Sequence, residues 1–452
     1  MNKDLIRKYN VPGPRYTSYP TVPYWDKSPS IEEWKSHVKE SFNVSNNDEG
    51  ISLYLHLPFC DSLCTFCGCN KRITVNHGVE EPYIDVLLKE WDLYLELFDT
   101  KPNLKEIHLG GGTPTFFSPE NLKKLLSKIL EKCTVAENQA FGFEAHPKNT
   151  TREHLQELYD LGFRRFSLGI QSFNPKVQKV INRIQTYDQV KECVENARDI
   201  GYTSINFDFI YGLPFQTLET IEDTITKSNE FKPERIAYYS YAHVPWVSAA
   251  QRAYSEVDLP SNEEKRALYE RGKQLFEDQG YLEIGMDHFA LKTDDLAIAF
   301  DNKKLHRNFM GYASEHTRLM IGLGVSSISD SWTCFGQNLK VVEEYKEAVL
   351  NGEFPIFRGH VLNEEDLILR KHILDIMCHF GTEFNDDFWN LPESSMIREK
   401  VQPMIDDGLM TWEGNNLEVF EHGRAFVRNI CMSFDLRLYR NKPETQLFSQ
   451  TI

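Results

Sequence analysis

The sequence predicts an α/β protein: an open or partial (β/α)6 barrel, led by a short arm and followed by a small, mostly helical module. Three observations lead there. From about residue 51 to 242, short β-rich runs alternate with helical ones, and such alternation implies a parallel sheet with right-handed crossovers. The unusual residues of the chain come directly after the expected strands, where folds of this kind place their chemistry. The texture changes before residue 50 and again after about 360. The expected domains are therefore an arm over 1–50, a barrel with its extension over 51–355, and a C-terminal module over 356–452.

The arm shows no long periodic run and carries the turn-rich segment Gly13-Pro14-Arg15-Tyr16-Thr17-Ser18-Tyr19-Pro20. An irregular segment rich in Arg and Tyr suits a lid that closes over a ligand, the alternative being a strap that holds the barrel shut. The strands are read at Leu53–Leu57, Ile107–Leu109, Ala140–Glu144, Phe166–Ile170, Ile205–Ile210 and Ile236–Tyr241. Between them, Ser118 and Pro119 open a helix as N-cap and first residue. Its stripe of Leu122, Leu125, Leu126, Ile129 and Leu130 runs on to Cys133. Another helix covers Tyr187–Ile200, with Val190, Val194 and Ala197 on one face. After 360 come a helix Glu364–Cys378, a second around Met396–Ile405, a hairpin turning at Gly414-Asn415 and a helix Gly423–Cys431, an order that resembles a winged-helix module.

Composition narrows the function. Of 452 residues, 50 are Lys or Arg and 67 Asp or Glu, a net charge of −17. So acidic a surface repels a polyphosphate backbone, which argues against nucleic acid and makes the winged-helix-like module a packing domain. An anionic substrate would need a local basic pocket. The 41% hydrophobic and 26% charged content is that of a folded globular chain. No run of 18 apolar residues and no apolar signal core occur, so a cytoplasmic protein without a membrane partner is expected. Of nine cysteines, Cys133, Cys193, Cys334, Cys378 and Cys431 are scattered and read as core residues.

The other four are clustered. Cys60-x3-Cys64-x2-Cys67 follows the first strand, with Cys69 two residues on. Three thiolates on a tight loop can hold three irons of a [4Fe–4S] cluster and leave the fourth open. With Cys69 as a fourth ligand, a zinc site is the alternative. The spacing, placed at the start of a barrel, resembles the radical S-adenosylmethionine (SAM) superfamily, in which the open iron chelates the amino and carboxylate groups of SAM. Gly110-Gly111-Gly112-Thr113-Pro114 reads as a second anchor, because glycine lets the backbone approach a ligand and donate its amides. Glu144 ends the third strand. Asp208, between Phe207 and Phe209 in the fifth, is a carboxylate where a core position would be apolar.

The whole chain resembles one family, the oxygen-independent coproporphyrinogen III oxidases of haem biosynthesis. The motifs are Pro14-Arg15-Tyr16-Thr17-Ser18-Tyr19-Pro20, Tyr54-x-His56-x-Pro58-Phe59-Cys60, Cys64-x-Phe66-Cys67-Gly68-Cys69-Asn70-Lys71 and the glycine stretch with Thr113. Downstream stand Gly212-Leu213-Pro214, Gly285–Ala290, His306-Arg307-Asn308-Phe309 and Asn429–Met432. The resemblance implies a radical-SAM barrel with a [4Fe–4S] cluster on Cys60, Cys64 and Cys67 and one or two SAM molecules. It implies conversion of two propionates of coproporphyrinogen III to vinyls, giving protoporphyrinogen IX. Tyr54, Phe66, Gly111, Gly112, Thr113 and Glu144 match positions that contact the first SAM. Gln171, Arg183, Asp208, Ala242 and Ile328 also match SAM positions, some for a second molecule. Cys69 matches a catalytic cysteine outside the cluster, a hydrogen donor or redox partner. The implied partners are an electron donor such as flavodoxin or ferredoxin and an unidentified acceptor, with the protein a monomer.

The substrate's four propionates call for cations, and Arg15, Lys71, Arg165, Arg183 and Arg307 are the candidates. Two stretches depart from the family pattern: Glu144-Ala145-His146-Pro147, with His where an acid is usual, and Gly311-Tyr312-Ala313-Ser314-Glu315, ending in Glu instead of Gln. The rival readings are a haem-binding chaperone on the same barrel, or a relative that opens or methylates haem. The Arg15–Pro20 segment and Cys69, which such chaperones lack, favour the oxidase.

Overall fold

The computed structural model describes residues 3–246, 248–443 and 447–451. All six predicted strands form, the first five longer than read and the sixth shifted by one residue: β1 (Ile51–Leu57), β2 (Asn103–Gly111), β3 (Thr134–Ala145), β4 (Arg165–Gln171), β5 (Ser204–Tyr211) and β6 (Arg235–Ser240). They pair in parallel and in chain order. Leu53, Leu55 and Leu57, like Phe166, Leu168 and Ile170, are buried. Helices such as Pro119–Leu130 and Tyr187–Ile200 cover the outer face, the first capped by Ser118 as the sequence predicts and the second by Thr186. The first of these stops at Leu130, and Cys133 follows it, half-buried against the core. The other four scattered cysteines are buried.

Antiparallel strands extend both edges. On one side lie β7 (Tyr281–Gly285) and β8 (His288–Leu291). On the other are β9 (Met320–Leu323), parallel to β1, then β10 (Ile328–Asp330), β11 (Cys334–Asn338) and β12 (Ile356–Val361). The order is β12-β11-β10-β9-β1-β2-β3-β4-β5-β6-β8-β7, so the curved sheet ends in two edges and the barrel is partial. Glu90, buried in the helix Glu80–Leu95, anchors the extension. It accepts hydrogen bonds from Gly324 N (2.8 Å), Asn338 Nδ2 (2.6 Å) and Tyr345 Oη (2.6 Å). β12 pairs with β11, so residues 356–361 belong to the large sheet.

The C-terminal module contains the predicted helix, as Glu364–His379, the second as Ser394–Asp406, and the hairpin Met410–Glu413 with Asn416–Val419. A third strand, Gly381–Glu383, completes the sheet. The last predicted helix is displaced: Glu421–Phe426 is a 3-10 turn, and the α-helix runs Val427–Phe434.

The N-terminal region departs most from expectation. A 15-residue helix, Ile31–Ser45, occupies it, opened by a capping box between Ser30 and Glu33. Trp34, Val38 and Phe42 bury into the same core as β1, at the i, i+4, i+8 spacing of a helix face. The tyrosines of the arm are not a lid. Tyr16 and Tyr19 are each only 1% exposed and belong to the core of the C-terminal module. The Tyr16 hydroxyl donates to Asp435 Oδ2 (3.1 Å), and Arg428 donates to the carbonyls of Pro14 (2.9 Å) and Gly13. The arm is a strap. Tyr16→Ala is therefore expected to destabilise the module by about 3–5 kcal/mol, read as an earlier denaturant transition. A loss under about 1 kcal/mol would contradict the packing described.

Candidate active site

The cysteine loop is closed by its own backbone. Arg72 N donates to Pro58 O (2.7 Å) and Thr74 N to Cys60 O (3.0 Å). The glycine segment then straps it down, with Gly112 N donating to Leu57 O and Thr113 N to Phe59 O, both at 2.9 Å. A Cβ on Gly112 would sit 2.6 Å from the Pro58 carbonyl carbon, and Gly111 has φ +108°, so glycine is required at both. The amides of Gly112 and Thr113 are thus committed to the loop and not free for a ligand, contrary to the sequence-based expectation. Among the described residues no donor reaches the Gly112 carbonyl, which is what this segment can offer.

Cys60, Cys64 and Cys67 line one cavity of about 290 Å³, together with Phe66, Lys71, Gly112, Thr113, His146, Gln171 and Arg183. Cys69 lies outside that lining and is exposed. Among the described residues no three metal-binding side chains converge on a single-ion position. The three thiols line one cavity, and three thiolates are the protein ligand set of a cluster with one open iron. Donors already face the sulfurs: Thr113 Oγ1 donates to Cys60 Sγ (3.4 Å) and Arg183 Nη1 to Cys64 Sγ (3.8 Å). The neighbouring Cys69 thiol, with Lys71 beside it, holds Cys67 well below the usual thiol range, whereas burial pushes Cys60 up to about 11. This donor set suits an iron–sulfur cluster, whose sulfurs accept hydrogen bonds.

Arg183 is held by Gly169, whose carbonyl accepts from Nη2 at 2.7 Å. Any Cβ on Gly169 would lie 2.6 Å from that nitrogen. Gln171 has φ +62°, and its buried Oε1 has no partner, an acceptor awaiting a donor at the cavity wall. Burial and the Arg183 charge push His146 down to about 2, so the family departure places a neutral ring here. Glu315, the other departure, pairs with Lys105 Nζ (3.2 Å) near the start of β2, away from the cysteines.

The barrel interior forms a second cavity of about 250 Å³, lined by Glu144, Ser167, Asp208, Tyr239, His288 and Tyr312 among others. Tyr54 stacks on His108 (6.1 Å, 12°) and lies over Gly110, where a Cβ would be 2.9 Å from its ring and 3.1 Å from Glu144 Oε1. Asp208 accepts from Ser167 Oγ (2.6 Å) and Asn206 Nδ2 (2.8 Å), and burial raises it to about 6. Two expected substrate cations are already neutralised. Arg15 pairs with Asp287, and Arg165, at the amino end of β4, pairs with Glu106 at the foot of the barrel. Arg307 is buried against the Tyr312 ring (4.4 Å), with Nε and Nη1 unpartnered.

Residues 54–227 match the model of the radical SAM superfamily. The oxygen-independent coproporphyrinogen III oxidase of Escherichia coli is 36% identical over 99% of this chain and 98% of its own length. That of Pseudomonas aeruginosa is 35% identical over the same shares. The chain belongs to the oxygen-independent coproporphyrinogen III oxidase family. The solved E. coli coproporphyrinogen III oxidase, described as a radical SAM enzyme, superposes with a TM-score of 0.89 at 33% identity, covering 96% of this chain and 98% of that one. The fold is accordingly the α/β radical SAM fold, and members of that superfamily use a [4Fe–4S] cluster and SAM.

Of the residues singled out for this family's chemistry, Cys60, Cys64, Cys67, Phe66, Gly112, Thr113, Gln171 and Arg183 meet at the first cavity, and Glu144 and Asp208 at the second. Gly111 sits beneath the His56 ring. Ala242 and Ile328 line neither cavity. The Ala242 carbonyl accepts from Gln251, and Ile328 pairs with Gln337. Ser167 and Asn206, which hold Asp208, escaped the sequence reading. Their signal was present: Arg165-x-Ser167 and Asn206-x-Asp208 place polar groups at alternate positions of otherwise apolar strands, facing inward.

Proposed function

We propose that this chain converts two propionates of coproporphyrinogen III to vinyl groups by oxidative decarboxylation, without oxygen, yielding protoporphyrinogen IX. The observation that carries this is the meeting of Cys60, Cys64 and Cys67 with Thr113, Gln171 and Arg183 around one cavity at the carboxyl ends of the strands, in a chain matching this family end to end. A [4Fe–4S] cluster held by Cys60, Cys64 and Cys67 would supply the electron for reductive cleavage of SAM, the chemistry by which hydrogen would be removed from the propionate β-carbon.

The chain's own groups have distinct tasks in this reading. Thr113 and Arg183 donate to the cluster thiolates and so favour their charged form. The Gly112 carbonyl accepts from the SAM ammonium, and Gln171 Oε1 finds there the donor it lacks. Tyr54, Phe66 and Glu144 flank the same molecule, while Asp208 accepts from ribose hydroxyls. Ala242 and Ile328, on opposite rims, are assigned to a second SAM. Cys69, outside the cluster, serves as hydrogen donor or redox partner. The electron enters from a separate donor such as flavodoxin or ferredoxin, and the electron left after loss of CO2 passes to an acceptor. Anaerobic incubation of the cluster-loaded protein with coproporphyrinogen III, SAM and a reductant should yield protoporphyrinogen IX; SAM cleavage without vinyl product would refute the reading.

Asp208 gives a prediction of opposite signs. Its pKa is raised in the folded protein to about 6 from 3.8, so the fold binds that proton more tightly than the unfolded chain. Stability is then lost as pH rises from about 4 to 6, by up to about 3 kcal/mol. Asp208→Asn should unfold at higher temperature than the parent at pH 7, equally at pH 4, and bind SAM at least tenfold more weakly. Unaltered SAM affinity would remove Asp208 from the site.

A further inference from the structure

A substrate with four carboxylates needs cations, and a pair outside the motifs is placed to supply them. The strand registers set Tyr54 beside Gly322, Met320 opposite Asp330, Ile328 opposite Gln337, and Gln337 opposite Arg358. Continuing the β9–β10 register puts Gly322 opposite Ile328, whose carbonyl oxygen would lie 2.6 Å from a Cβ there. Tyr54, Gly322, Ile328, Gln337 and Arg358 thus form one row across five strands, and directly opposed residues share a face of the sheet. It is the face on which Tyr54 covers Gly110 and Glu144. Arg358 Nε donates to Gln337 Oε1 (2.8 Å), which fixes the guanidinium and leaves its terminal nitrogens to fork onto a carboxylate.

The surroundings fit a tetrapyrrole. The Arg358 guanidinium carbon is 5.7 Å from the Trp25 ring centre; Trp25 stacks on Phe335 (5.3 Å) and meets Phe309 edge-on (6.3 Å). Lys340 reaches the same place, its ammonium 5.8 Å from the Phe357 ring and the Arg358 guanidinium 5.9 Å from it. The Lys340 carbonyl accepts from Asn70 Nδ2 (2.9 Å), which ties this corner to the loop next to Cys69. Burial lowers both cations, the Arg358 charge lowers Lys340 further, and no carboxylate is among the groups acting on either. Arg358 is partly buried and Lys340 exposed beside it, neither is in an ion pair among the described residues, and two neighbouring like charges in a chain of net −17 become favourable once an anion joins them. Strands lie about 4.8 Å apart, so Arg358 stands roughly 10 Å from Ile328 along the row, a separation of the order of a tetrapyrrole's width.

We propose that Arg358, assisted by Lys340, receives a propionate of the substrate remote from the one that reacts, with Trp25 and Phe309 against the macrocycle. This rests on the reading of coproporphyrinogen III as substrate. The test uses the cluster-loaded full chain and its Arg358→Met, Arg358→Lys and Lys340→Met variants. Two readouts are taken: quenching of tryptophan fluorescence by coproporphyrin III, the oxidised and unreactive porphyrin, and steady-state kinetics with coproporphyrinogen III. Arg358→Met should weaken porphyrin binding and raise KM roughly 10- to 100-fold, with kcat within about twofold and cluster absorbance intact. Lys340→Met should do the same to a smaller degree, and Arg358→Lys should recover part of the loss. Coproporphyrin tetramethyl ester, which has no carboxylates, should not distinguish Arg358→Met from the parent. Unchanged binding and KM in Arg358→Met, or equal discrimination with the ester, would overturn the assignment. A parent protein that neither binds coproporphyrin III nor turns over coproporphyrinogen III would instead overturn the substrate reading, and the assignment with it.

Discussion

Replacing Cys64 by alanine is expected to abolish both the brown [4Fe–4S] chromophore and all SAM cleavage. Cys60, Cys64 and Cys67 line one cavity, and in the proposed reading each supplies one of the three protein bonds that leave a single iron open. Removing one leaves two thiolates for a four-iron cluster, which falls below the count that holds it. The Arg183 guanidinium, now 3.8 Å from Cys64 Sγ, would lose its acceptor but keep the Gly169 carbonyl, so the barrel itself should remain folded. Far-ultraviolet circular dichroism should match the parent while iron content collapses. Full SAM cleavage by the Cys64→Ala protein would remove Cys64 from the ligand set.

Cys69→Ser should separate cluster assembly from turnover. Cys69 is exposed and stands outside the cavity that the other three thiols line, yet as the neighbour of Cys67 it is the largest influence holding that thiol below its usual range. Serine retains a hydroxyl that can donate to the Cys67 sulfur and loses only the thiol chemistry. Iron content and the electron-spin signal of the reduced cluster should stay near the parent's, while protoporphyrinogen formation falls at least a hundredfold. Iron loss equal to that of Cys60→Ala would make Cys69 a fourth ligand; normal turnover would leave the thiol without a catalytic role.

The parallel barrel and the cluster loop were legible in the sequence because their signals are local. Each strand of the barrel carries its own apolar run, and Cys60, Cys64 and Cys67 lie on one turn of chain. The helix Ile31–Ser45 was also legible in principle, since Ser30 and Glu33 mark its start and Trp34, Val38 and Phe42 its buried face. It was overlooked beside the irregular segment that precedes it. The role of Tyr16 and Tyr19 was not legible, because the core that buries them comes from residues 369 to 436. The antiparallel extension has strands of three to six residues, too short for periodicity to speak. Arg358 joins the row of Tyr54 and Ile328 only through pairings across that extension. The committed amides of Gly112 and Thr113 teach the same lesson at atomic scale: a glycine run announces close approach, but only the fold says that the first partner is the cysteine loop.

In the proposed reaction, hydrogen leaves a propionate β-carbon of coproporphyrinogen III for a radical generated beside Cys60, Cys64 and Cys67. Substrate carrying deuterium at those carbons tests it directly, with mass spectrometry of the 5′-deoxyadenosine formed under anaerobic turnover. Deuterium should appear in 5′-deoxyadenosine, one atom for each propionate converted to vinyl. Vinyl product accompanied by unlabelled 5′-deoxyadenosine would contradict the account.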